Sequence, residues 1–67
     1  MGDQLENQLR EERARRQLTQ AQLAELVGVS RKTINTVENG IFVPSTILAL
    51  RLAKTLGTTV ESLFRLR

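Results

Sequence analysis

Residues 29–40 read VSRKTINTVENG, a dense run of side chains able to reach another molecule. Ser30 is followed by two adjacent cations, Arg31 and Lys32, then by Thr33, Asn35 and Thr36, and the run closes on Asn39 and Gly40. On a helix, Ile34 and Val37 turn inward together, while Arg31, Lys32, Asn35 and Thr36 fall mostly on the other side, with Thr33 at the edge. Such a face can hydrogen-bond to base edges. An α-helix fits the major groove of B-form DNA, where Arg or Lys reads guanine O6 and N7, Asn reads adenine, and Thr touches the thymine methyl. The partial positive charge of a helix N-terminus also favours phosphate. The same residues equally describe an ordinary solvated helix face, so the neighbouring elements must decide between the two.

Little other chemistry is on offer. The chain has no His and no Cys, so it has no disulfide, and a zinc site would rest on carboxylates alone. Ser30, Ser45 and Ser62 are accounted for by capping or exposure. The seven acidic residues are scattered, with no pair suited to acid–base work. No enzymatic activity, cofactor or metal is expected.

Five short helices must position the polar face. The first is predicted over about Leu5 to Gln17, with Leu5 and Leu9 on one side and Ala14 nearby. Thr19, with Gln22 three residues later, forms a capping box for a second helix. Leu23, Ala24, Leu26 and Val27 make its inner stripe, and Gly28 supplies a left-handed stop. Only Val29 separates that glycine from Ser30, the cap of the third helix, which runs to about Asn39. Val29 can plug the sharp corner between the two. After the loop Ile41 to Pro44, Ser45 caps a fourth helix that ends near Leu56 before Gly57. Thr59 caps a last one carrying Val60, Leu63 and Phe64. No stretch alternates long enough to suggest a strand.

The chain has 67 residues, enough for one small domain, expected over 1–67. Its net charge of +3 makes a polyanionic partner plausible without requiring one. The opening MGDQLENQ is polar and acidic, unlike a signal peptide. The lack of Cys fits a reducing cytoplasm.

Two helices joined by a short glycine-containing turn are a helix-turn-helix, here over about residues 20–39. LTQAQLAELVGVSRKTINTVENG resembles this unit in the Cro and phage-repressor (Xre-type) family of transcriptional regulators. NQLREERARRQLTQ is similar to that family's first helix, and FVPSTILALRLAKTLGTTVESLFRL to its last two. The resemblance implies an all-α, five-helix repressor-like fold and sequence-specific binding to double-stranded DNA. By resemblance, Arg31, Lys32, Asn35 and Thr36 match base-reading positions, and Gln20, with help from Thr19, contacts a phosphate. Thr33 and Asn39 match positions that hold the DNA backbone, and Ser30 is mainly a cap within reach of a base or phosphate. Arg13 and Glu38 match a buried ion pair tying the first helix to the third.

The resemblance further implies a homodimer on a palindromic operator, seamed at the C-terminal end through Leu50, Phe64 and Leu66. Repression is the expected outcome, with activation left open. Departures from the family pattern are Gln17 where relatives often have Gly, Glu12 where they often have an apolar residue, and the cations Arg31-Lys32 where many have Gln. Arg10, Arg13, Arg15 and Arg16 make the first helix basic, interleaved with Glu11 and Glu12. Phe42 is expected to pack on the fourth helix. A protein-interaction module or antitoxin of the same fold, with DNA binding secondary, stays open as an alternative. So does a place as the N-terminal part of a longer regulator.

Overall fold

The computed structural model describes residues 3–67; Met1 and Gly2, the first of the polar opening, lie outside the described residues. In chain order the elements are β1 (Leu5–Asn7), α1 (Leu9–Arg15), α2 (Gln20–Val27), α3 (Arg31–Glu38), α4 (Thr46–Leu56), α5 (Val60–Leu63) and β2 (Phe64–Leu66). Five helices thus form the body, as expected, and four of them start at the predicted caps.

Local hydrogen bonds start these helices. The Thr19 hydroxyl accepts from Gln22 N at 3.0 Å, and the Gln22 side chain returns the bond to Thr19 N at 2.8 Å. Ser30, Ser45 and Thr59 accept from the backbone N–H three residues on, at 3.2, 3.1 and 3.1 Å. Each cap satisfies a first-turn donor that has no acceptor inside its own helix. Gly28, at φ +78°, ends α2, and its N–H donates back to Ala24 O at 2.9 Å. That left-handed turn lets Ser30 cap α3 two residues later, with Val29 packed against the core at the corner.

The core gathers Leu9, Leu23, Ala24, Val27, Ile34, Val37, Leu48, Ala49, Leu52, Ala53, Leu56, Leu63 and Phe64. All five helices contribute to it, and β2 adds Phe64. Without a disulfide, this burial is the main source of stability for so short a chain.

The structure corrects several expectations. Leu5 does not lie on the first helix, which starts only at Leu9 and ends at Arg15. Instead β1 pairs antiparallel with β2, Leu5 opposite Leu66 and Asn7 opposite Phe64. The ladder continues at both ends: Gln8 N donates to Leu63 O and Arg67 N to Gln4 O, each at 2.8 Å. Three-residue strands are too short to show alternation, and their partners lie at opposite ends of the chain, so no local pattern betrays them. Phe64 leaves α5 to begin β2 and is buried. Ala14 is exposed. Leu26, expected on the inner stripe of α2, is 61% exposed, because Leu23, Ala24 and Val27 already fill the side of α2 that meets α3 and α4. Phe42, expected to pack on the fourth helix, remains 47% exposed over a cleft lined by Leu5, Val43, Pro44 and Phe64.

Gln17 makes the turn between α1 and α2 at φ +58°, the one non-glycine residue with positive φ among the described residues. An L side chain pays about 1–2 kcal/mol for this conformation, which glycine adopts freely. Gln17→Gly is therefore expected to stabilise the fold by about 0.5–1 kcal/mol after the added flexibility of the unfolded chain is subtracted. Thermal unfolding followed by circular dichroism should show a melting temperature raised by about 3–6 °C. A lowered one would show that the turn does not carry this strain.

Candidate nucleic-acid interface

One carboxylate organises the exposed side of α3. The Glu38 side chain, on the last turn of α3, has no accessible surface. Arg13 of α1 meets it with two bonds, Nε to Oε2 at 2.6 Å and Nη2 to Oε1 at 3.2 Å. Arg13 Nη1 also donates to Leu18 O at 2.7 Å, bracing the turn into α2. A two-point guanidinium–carboxylate contact fixes orientation as well as distance, so α1, the α1–α2 turn and α3 are locked to one another.

Two further residues close around the same carboxylate. Gln20, at the start of α2, donates Nε2 to Glu38 Oε1 at 3.0 Å, and Arg10 donates Nε to the same oxygen at 3.4 Å. The Gln20 carbonyl oxygen lies 3.5 Å from Asn35 Nδ2, Asn35 Oδ1 accepts from Asn39 Nδ2 at 3.2 Å, and Asn39 Oδ1 accepts from Arg10 Nη2 at 2.7 Å. Glu38, Gln20, Asn35, Asn39 and Arg10 thus form a closed ring drawn from three helices. Every amide in it is oriented by its neighbours, because the carboxylate and the guanidinium dictate which end donates.

Burial alone would push the Glu38 carboxyl up. The bonds from Arg13 and Gln20, the Arg13 charge and the Arg10 bond more than offset it, so the group is held below its ordinary range. Hydrogen bonding to Glu38 raises Arg13 against its own partial desolvation, and the charge of Glu38 adds to the rise.

The remaining predicted site residues fall into distinct settings. Arg31 and Lys32 are exposed at the first turn of α3, and neither enters an ion pair among the described residues. The Thr36 hydroxyl donates back to Lys32 O at 3.1 Å and Thr33 O at 3.0 Å. Ser30 and Thr33 hydroxyls bond each other at 3.0 Å. Thr19 is engaged in its capping box, while the backbone N–H of Gln20 is one of the first-turn donors that an outside acceptor can meet. Gln20, Asn35 and Asn39 are therefore brought together with the Arg13–Glu38 pair, while Arg31 and Lys32 stand free beside them.

Leu50 and Leu66 are 56% and 67% exposed. Phe64 is not available with them, because it finishes the core. Leu50 and Phe64 nevertheless line one apolar groove of about 770 Å³, together with Val43, Pro44 and Val60.

Sequence reasoning missed two parts of the site. Arg10 is three residues before Arg13, a spacing that puts both on one helix face, and that spacing could have suggested a shared acceptor. Asn7 bonds Val37 O through Nδ2 at 3.0 Å and caps α1 by accepting from Leu9 N at 3.1 Å. Nothing in its sequence context points to that role.

Acidification tests the cluster. Because Glu38 is held low in the folded chain, the unfolded chain takes up its proton at higher pH. The stability this carboxylate contributes is therefore complete above its ordinary value of 4.5 and is lost as pH falls through the lower folded value. The Glu38 side-chain carboxyl carbon, followed by NMR, should titrate below 4.5; a midpoint above it would contradict the network. Glu38→Ala, which strands Arg13, should cost about 3–5 kcal/mol in urea unfolding.

Residues 9–63 match the family model for the helix-turn-helix. An uncharacterized helix-turn-helix-type transcriptional regulator of Bacillus subtilis, YgzD, is 40% identical over 60 residues, covering 90% of this chain and 91% of that one. Another, from Methanocaldococcus jannaschii, is 43% identical over 60 residues, covering 90% and 91%. The restriction-modification controller protein C.AhdI of Aeromonas hydrophila superposes with a TM-score of 0.76 at 35% identity, over 81% of this chain and 82% of that one. With α2 and α3 joined at Gly28 and the polar face of α3 turned outward, the chain belongs to the Cro and phage-repressor (Xre-type) helix-turn-helix family of DNA-binding transcriptional regulators.

Proposed function

We propose that this protein binds specific double-stranded DNA sites by inserting α3 into the major groove, and that it represses transcription by covering promoter DNA. The observation that carries this reading is the exposed Arg31–Lys32 pair beside the oriented amides of Gln20, Asn35 and Asn39. Arg31 and Lys32 read guanine O6 and N7, Asn35 reads adenine, and the Thr36 methyl meets a thymine methyl. Thr19, Gln20, Thr33 and Asn39 hold phosphates and so set the register, with Ser30 at the rim. Glu38 and Arg13 make no DNA contact in this scheme; they keep the two helices at the angle the groove requires.

The protein acts as a homodimer on a palindromic operator in the cytoplasm. The seam is the apolar groove with Leu50, flanked by Lys54 and Glu61, joined by the exposed Leu66 of β2. In a two-fold interface residue i of one copy meets residue j of the other, so Lys54 of one copy can face Glu61 of the other. The two α3 helices then lie one DNA turn apart, about 34 Å.

Selection from a random duplex library is expected to enrich a palindrome with half-site centres about ten base pairs apart and guanine in each half-site. Arg31→Ala and Lys32→Ala should each cost about 1–3 kcal/mol of specific affinity and relax the base preference at one position. A folded protein that enriches no site would overturn this reading in favour of a protein-interaction module.

A further inference from the structure

We propose that Arg10 is a further contact to the DNA backbone, one that brings the surplus positive charge of the Glu38 cluster to a phosphate beside Asn39. This inference rests on the groove reading above.

The argument begins with charge. Arg10 and Arg13 share one carboxylate, so the cluster carries one net positive charge. Arg13 is not the residue that presents it. Its guanidinium bonds both Glu38 oxygens and Leu18 O, and its side chain is only 14% exposed. Arg10 touches Glu38 at a long 3.4 Å, and its side chain is 56% exposed. A guanidinium has five N–H donors. Arg10 uses Nε for Glu38 and one Nη2 hydrogen for Asn39, which leaves three without a partner among the described residues.

Position follows from the ring. Gln20, Asn35, Asn39 and Arg10 form a continuous polar row from the start of α2, across α3, to α1. Within this row Asn39 and Gln20 are assigned to the DNA backbone, and Arg10 bonds Asn39 directly. The other cations of α1 are turned elsewhere: Arg15 and Arg16 pair with Glu12 at 3.5 and 2.7 Å, and neither bonds to α3. A planar guanidinium at this place can take a phosphate through two parallel bonds while its remaining edge holds Asn39 in orientation.

The test is the salt dependence of binding to a random-sequence duplex and to an enriched site, by fluorescence anisotropy, for wild type, Arg10→Gln and Arg10→Lys. Circular dichroism melts confirm that each variant is folded. Each neutralised phosphate adds about −0.9 to the slope of log affinity against log salt. Arg10→Gln should flatten that slope by about 0.9 on both duplexes, and Arg10→Lys should keep it. If Arg10→Gln weakens only the enriched site and leaves the slope unchanged, Arg10 merely orients Asn39 and the proposal fails. A wild-type protein that binds neither duplex would overturn the groove reading itself, and this inference with it.

Discussion

The burial of the Glu38 carboxylate is the constraint on which the arrangement of α1, α2 and α3 depends. A charge without solvent must be matched or it will not stay ionised, and here the match comes from three directions: Arg13 and Arg10 of α1 and Gln20 of α2. Because each partner sits on a different turn, satisfying one carboxylate fixes where α1, α2 and α3 stand relative to one another. Such a pair adds little net stability over a well-packed apolar substitute, since desolvation offsets much of the attraction. Its value lies in geometry. A residue that reads a base must be placed to within a fraction of an ångström, and side chains locked by surrounding bonds hold such placement better than free ones.

The rest of the fold works to make that geometry affordable in a short chain. The core is built almost wholly from Leu, Ile, Val and Ala on the inner faces of the helices, with Phe64 as its one aromatic member. The helices are short, and isolated helices of this length are marginal in water. Hydroxyl caps at Thr19, Ser30, Ser45 and Thr59 offset part of that weakness by satisfying first-turn donors. The β1–β2 pair then ties the start of the described chain to its end, and Asn7 carries the tie across to Val37 O on α3. The last residues of α3 are thereby held from two sides, by Asn7 on the backbone and by Arg13 on the Glu38 side chain.

The polar row and the apolar groove draw on different elements. Arg31, Lys32 and the amide row belong to the first three helices and the end of α3, while the groove lined by Val43, Pro44, Leu50 and Val60 is built largely by α4, α5 and the loop before α4.

The sequence by itself determined the helices, the corner between the second and third, and the polar face of the third. These features rest on contacts spanning three or four residues: a hydroxyl meeting an N–H one turn on, a glycine taking a left-handed turn, apolar residues recurring once per turn. Such contacts form wherever the letters occur, so the letters reveal them. The partnership of Arg13 with Glu38 spans 25 residues, and only likeness to a family pointed to it. Arg10 showed only its spacing from Arg13, and Asn7 and the β1–β2 ladder had no local signature at all, since strand partners at opposite ends of the chain meet only after the helices have packed. The same packing left Leu26 in solvent and drew Phe64 inside. Periodicity says which residues share a face; which faces meet, and which stay bare, is settled only when all five helices compete for one small core.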